Sequence, residues 1–160
     1  MIDIAVWFHR ALGAGMAIGI MELLANLTQQ PLSRIPFVTS IVLTLSLPDS
    51  DAARPYAIIV GHLVSSVAGF TALWCLGSGE TASAVGVGLA ALLMLLFRAM
   101  HPPAGIDAFL IAGYGLPMSW ILNPVLAGAI LIATFAGLWA KGEQRLRQYA
   151  AASSSLDGRK

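Results

Sequence analysis

A run of Arg98, Ala99, Met100, His101, Pro102, Pro103, Ala104 and Gly105 interrupts two strongly apolar stretches of the chain. Pro103 has no N–H to give a helix, and Pro102 pushes His101 out of the α region, so one continuous helix cannot pass through. Polar side chains and a broken backbone are costly at membrane depth and persist where they line a cavity or pathway. The run therefore points to the site of a transporter or channel. The competing reading is a turn at the membrane surface, with Arg98 snorkelling into the head groups.

The bilayer setting follows from composition. Hydrophobic residues make up 58% of the 160, and charged residues 11%; mean hydropathy is +0.79. Soluble domains carry roughly 25% charged and 45–50% apolar residues. The length suits a single transmembrane domain over residues 1–140, in which each long span needs about 20 residues. Residues 141–160, with Ser153, Ser154 and Ser155, read as a polar, frayed tail. A net charge of +1 argues against nucleic acid as a partner. The lone Cys75 cannot form an internal disulfide. No basic region precedes the first apolar run, so insertion is expected to use the first spanning helix.

The expected fold is all-α and integral to the membrane. Residues 11–28, 55–76, 81–100 and 120–140 read as four long transmembrane helices. Residues 36–47 and 102–112 read as short, half-length helices opened by Pro36 and Pro102. Trp7, Tyr56, Trp74, Trp120 and Trp139 fall near segment ends, as an interfacial aromatic belt requires.

The chain also reads as two structural repeats, about 11–76 and 81–140. Gly13, Gly15, Ala17, Met21 and Leu23 share their spacing with Gly86, Gly88, Ala90, Met94 and Leu96. Residues 70–74 resemble residues 135–139, and each half reads long, short, long. Broken helices at matching places in duplicated halves point to a transporter binding site. Gly61, Gly69, Gly128 and Gly137 are expected to serve close helix packing. Lys141, Arg145 and Arg147 place the C-terminus in the cytoplasm by the positive-inside rule, and Arg10 agrees for the N-terminus. Arg54 and Arg98 draw their loops to the same side, whereas the loop holding Glu80 faces outward. These sides agree if each short segment crosses the membrane, which makes the repeats inverted. Arg34, which would lie outside, counts against this; if the short segments re-enter and return, each half crosses twice and the repeats are parallel.

His101-Pro102-Pro103-Ala104-Gly105 resembles the signature of the HPP family of small integral membrane proteins. Pro36-Phe37-Val38-Thr39-Ser40, Pro48-Asp49-Ser50, Gly61-His62 and Asn123-Pro124-Val125-Leu126 resemble further family segments, and the likeness covers about residues 10–140. The resemblance implies four transmembrane helices and, for some members in plastids and cyanobacteria, nitrite transport. Asp107 departs from the uncharged residue expected there, which argues against a simple anion site.

An anion in a bilayer needs N–H donors or positive charge in place of its hydration shell, and helix N-termini offer both. The amides of Phe37, Val38, Thr39, Ala104 and Gly105, with the Thr39 and Ser40 hydroxyls, form a candidate cradle. Arg98 and His101 bias it towards anions, and Arg34 contributes at an entrance. His62 reads as a site or proton-relay residue, or as a buried histidine bonded to a carbonyl. Glu22 and Asp107 are expected to face away from lipid, in an internal ion pair, a helix cap, proton coupling or contact with a cationic solute end. Thr44, Ser65 and Ser66 are expected to hydrogen-bond between helices.

The leading expectation is transport of a small anion, nitrite first. A small organic anion or zwitterion is the alternative, favoured by Asp107 and Glu22, followed by an ion channel. A structural membrane subunit or membrane enzyme is the different-class alternative. No H-E-x-x-H motif or histidine pair at ligand spacing occurs, so neither catalysis nor a metal or other cofactor is expected. A homodimer in a bacterial inner membrane is expected, since glycine-rich helices leave surface for a second copy.

Overall fold

The computed structural model describes residues 4–29 and 36–157, with side chains through residue 149. Arg34 lies outside the described residues. Six helices build the fold: α1 (Ile4–Thr28), α2 (Pro36–Ser46), α3 (Pro55–Leu76), α4 (Glu80–Leu96), α5 (Gly105–Tyr114) and α6 (Ala127–Asp157). Among the described residues there is no strand. Three stretches are long and apolar enough to cross a bilayer, Ile4–Thr28, Pro55–Leu76 and Met118–Tyr149. The third expected span is shorter than residues 81–100: α4 has 17 residues, about 26 Å at 1.5 Å each against a core of about 30 Å. The expected fraying after residue 140 is also corrected, because α6 stays helical to Asp157.

Local chemistry explains the boundaries. Proline opens α2 and α3 at the first helical position, where its missing N–H costs nothing. α4 closes through Arg98, which adopts a left-handed φ of 51°. The Ala99 N–H then reaches back to the Met94 carbonyl at 2.9 Å, a Schellman-type closure usually given to glycine. α5 closes the same way, with Gly115 at φ 63° and the Leu116 N–H on the Ile111 carbonyl at 3.2 Å. Pro102–Ala104 forms a 3-10 turn ahead of α5, and Asp51–Ala53 forms another ahead of α3.

Contacts at the helix ends fix the directions of the chain. Arg10 near the start of α1 bonds both Glu143 late in α6 and the Ser46 carbonyl at the end of α2. Tyr56 at the start of α3 donates its hydroxyl to the Phe97 carbonyl after α4. At the opposite end, the Gly79 N–H donates to the Ala112 carbonyl late in α5, at 3.1 Å. Successive helices therefore alternate in direction, with α2 and α5 as short legs of the path.

Two groups of helices result. α3, α4 and α5 pack together closely; α1, α2 and α6 form a second, looser group, joined to the first through α3 and α6. Each half of the chain thus sends its third helix to the other half's first two. The buried face of α1 includes Gly13, Ala17 and Met21, and that of α4 includes Gly86, Ala90 and Met94. Gly15 and Gly88 are exposed in both. Gly137 has open space around its Cβ position, so its expected packing role does not hold.

Candidate functional site

Four side chains without solvent exposure meet where the second broken segment crosses α2 and α3: Ser40, His62, His101 and Asp107. Pro102 leaves His101 extended, at φ −129° and ψ 88°, directly before the 3-10 turn. Its ring points inward between α2 and α3. Gly61 makes room for it: a Cβ there would lie 2.9 Å from His101 Cβ and 3.0 Å from the Ala99 carbonyl. The neighbouring His62 enters the same space from α3, seven residues or about 10 Å beyond Pro55. Phe37 closes one side, its ring centroid 5.4 Å from that of His62. Gly128 of α6 accommodates the Phe37 ring, since a Cβ there would sit 2.5 Å from it.

The polar atoms form one line with a side branch at Ser40. His101 Nδ1 lies 2.7 Å from the Ala52 carbonyl, and His101 Nε2 lies 3.0 Å from Ser40 Oγ. Ser40 Oγ lies 3.0 Å from His62 Nε2, and His62 Nδ1 lies 2.6 Å from Asp107 Oδ2. Ser40 Oγ also reaches the Pro36 carbonyl at 3.1 Å. The second carboxylate oxygen, Asp107 Oδ1, is buried without a hydrogen-bond partner. Around the line, Ser65 donates to the Ala104 carbonyl at 2.6 Å and accepts the Ala108 N–H at 3.2 Å, tying α3 to the α5 opening.

The remaining candidates divide sharply. Val38 and Thr39 face outward, and the Thr39 hydroxyl is turned back to the Pro36 carbonyl at 3.1 Å. The Ala104 N–H donates to the His101 carbonyl, and the Gly105 N–H points at Pro102 and Pro103 carbonyls within the turn. Those two amides are therefore not spare donors for an anion, which corrects the expected cradle. Arg98 does not join the cluster either. It is exposed on a 640 Å³ groove with Asp51, Arg54 and Tyr56, because the left-handed turn that ends α4 swings its side chain out of the bundle. Glu22 is exposed on α1 rather than internal. Thr44 and Ser66 bond to carbonyls one turn back in their own helices, so only Ser65 of the three serves as an interhelical link.

Sequence reasoning missed two features. The Ala52 carbonyl carries no side-chain signal and came into play only through the fold. A second polar centre, outside the cluster, holds Glu143 between Arg10 at 2.8 Å and Arg147 at 2.8 Å, with His9 stacked on Trp139 beside it. The pairing of one charge early in α1 with one late in α6 has no local pattern to reveal it.

The transmembrane region of the HPP family matches residues 1–150. A transmembrane protein of Dictyostelium discoideum is 33% identical over 105 residues, covering 60% of this chain and 36% of its own. A second from the same organism is 31% identical over 103 residues, covering 59% and 33%. The chain thus spans about a third of the length of these curated relatives. No solved structure matches. With bilayer-length helices, a His-Pro-Pro opening whose histidine is buried and a family match over nearly its whole length, the chain belongs to the HPP family of transmembrane proteins.

Proposed function

We propose that this protein is a membrane transporter of a small anion, with nitrite the first candidate, and that the solute is taken at the His101–Ser40–His62 line. The observation that carries this reading is the meeting of two imidazoles, a hydroxyl and a carboxylate, all fully buried, where two half-length helices open. A lipid-embedded bundle is stable with apolar residues there, so polar groups at that depth are a mark of function. Imidazole N–H groups and the Ser40 hydroxyl are the donors that replace the anion's water. The first-turn amides of α2, at Phe37 and Val38, add to them.

The alternative solute is a small organic anion or zwitterion. It is favoured by Asp107 Oδ1, a buried acceptor without a partner, which suits a cationic or N–H end of the solute. In either case α4 serves as a fourth crossing, its shortness met by local thinning of the bilayer. The two halves act as inverted repeats, with the basic ends of α1 and α6 in the cytoplasm of a bacterial cell. A second copy covers the exposed apolar face of α1, which carries Leu12, Met16, Ile20 and Leu23.

Uptake by purified protein in lipid vesicles tests the reading. Nitrite is expected to accumulate above protein-free vesicles and to be lost in His62→Gln and His101→Gln. Nitrate, sulfonates and zwitterions, run in parallel, identify the alternative. No uptake of any of them by folded protein would end the transport reading and favour a structural subunit.

A further inference from the structure

We infer that His101, Ser40, His62 and Asp107 form a relay that holds one proton and passes it across the Ser40 hydroxyl, making the proton the coupling ion of transport. The inference starts from hydrogen-bond inventory. The Ala52 carbonyl only accepts, so His101 Nδ1 carries hydrogen. A neutral His101 then has a lone pair at Nε2, which is satisfied only if it, rather than the Pro36 carbonyl at 3.1 Å, accepts the one proton of Ser40. Ser40 can no longer donate to His62, so His62 must donate from Nε2. With hydrogen at Nε2, a neutral His62 has a lone pair at Nδ1, facing Asp107 Oδ2 at 2.6 Å. That contact is sound only when Asp107 is protonated or His62 is a cation. The other solution makes His101 the cation, with Ser40 donating to His62 and His62 Nδ1 donating to the carboxylate.

Both solutions hold at least one proton more than two neutral imidazoles beside an ionised Asp107. Without it, one of the contacts at 2.6–3.0 Å brings two lone pairs face to face. With it, the buried cluster is neutral, as a low-dielectric interior favours. Transfer between the solutions balances within the line. The His62 Nε2–H bond breaks as a new O–H forms on Ser40, and the old Ser40 O–H breaks as Nε2–H forms on His101. Where Asp107 holds the proton, it passes that proton to His62 Nδ1 in the same shift. Among the described residues, His62 faces two titratable groups, His101 and Asp107 of α5, while α2 presents only Phe37 and Ser40 to it. The charged residues of α1 and α6 that form ion pairs are engaged at the Arg10–Glu143–Arg147 centre, and the acidic residue of α4, Glu80, lines a separate cavity.

The relay begins at the basic end of the bundle. Ala52 precedes Ala53, which lines a 180 Å³ cavity with Thr44, Pro48 and Arg54. Of the four residues in the line, His101 is the one bonded to the Asp51–Ala53 turn that borders this cavity. Loss of the proton leaves a buried negative charge that repels an anion, so anion and proton bind and move together. For a monovalent anion the exchange is one proton per solute, without net charge movement.

Two measurements separate the proton from the solute, since the coupling role rests on the transport reading above. The first is nitrogen-15 histidine NMR of the full chain in lipid bilayers without any solute, with His9→Gln to remove the third imidazole. His62 and His101 are expected to change protonation in one shared step as the pH is raised. Ser40→Ala is expected to split it into two independent steps. Should Ser40→Ala not fold, the wild type still decides the matter. Both histidines must then report one step in which the line loses a proton, seen as loss of an imidazolium signal or of an infrared carboxylic-acid band absent from Asp107→Asn. Separate protonation steps for the two imidazoles in the wild type would overturn the relay.

The second measurement is nitrite uptake into vesicles carrying a pH dye. Acidification of the lumen in step with nitrite, unchanged when the membrane potential is clamped, is expected. Ser40→Ala should lower gradient-driven uptake by about 100-fold, the low end for a positioned proton-transfer group. Nitrite uptake without proton movement would overturn the coupling. A shared NMR step with no solute moved would instead sink the transport reading and leave the relay standing.

Discussion

The two helix groups share a layout and differ in what fills them. Between α3, α4 and α5 the contacts are backbone against backbone: a Cβ on Gly69 would lie 2.8 Å from Ala108 Cα, and Gly86 faces Ala72 and Ala112. Between α1, α2 and α6 the filling is large side chains, among them Phe37, Ile41, Leu45, Ile132 and Trp139. Small residues let helices approach closely and hold them rigidly, whereas long side chains can change rotamer without moving the backbone. The line from His101 to Asp107 straddles this boundary. His62, His101 and Asp107 belong to the tight group, and the bridging Ser40 comes from the loose one. A modest shift of α2 against α3 would open the line at Ser40 while leaving the histidine–carboxylate pair intact. That is the motion the proposed transport would need.

The largest expected effect lies inside the tight group. Asp107→Ala leaves His62 buried without its partner and should cost about 3–5 kcal/mol, seen as a large drop in melting temperature in detergent. A loss below about 1 kcal/mol would mean that the pair is not as closed as its 2.6 Å contact indicates.

Next come two glycines that rank against simple distance. Gly69→Ala meets the Ala108 backbone and should cost about 1–3 kcal/mol. Gly13→Ala makes a nominally closer contact, with the Trp139 indole. It should nevertheless cost less, because an indole ring can swing away and a helix backbone cannot. Equal losses in a side-by-side melting experiment would erase the distinction between the groups.

Arg98 supplies a smaller effect of opposite sign. Its left-handed conformation is strained for a residue with a Cβ, so Arg98→Gly should stabilise by about 1 kcal/mol. Solute uptake should stay unchanged in this variant, since the side chain lies outside the cluster. A severe loss of affinity would restore Arg98 to the site.

The smallest effects probe the outer faces of α1 and α4. Gly15→Ala and Gly88→Ala have open space around the new methyl group and should each gain about 0.5 kcal/mol by limiting the unfolded chain. A marked loss in either would reveal a partner on that face.

Much of the frame was legible from residues alone. Apolar length announced the bilayer, and Pro36 and Pro102 marked the half-length helices, because a missing N–H acts on the helix that contains it. The matched spacing of Gly13, Ala17 and Met21 with Gly86, Ala90 and Met94 anticipated two similar buried faces, since burial on a helix follows its own period. The site was legible only as an inventory. Ser40 stands 61 residues from His101, and His62 stands 45 from Asp107. Which of them touch is set by where helices cross, a property no local pattern carries. The same holds for what drops out. Arg98 and His101 are three residues apart, yet a single left-handed turn sends one to the surface and leaves the other in the core. Sequence by itself determined the solvent, the breaks and the chemistry on hand, because those are properties of individual segments. Tertiary structure alone decided that His101, Ser40, His62 and Asp107 share one line of hydrogen bonds, because directional bonds of about 3 Å depend on how separate helices are placed against one another.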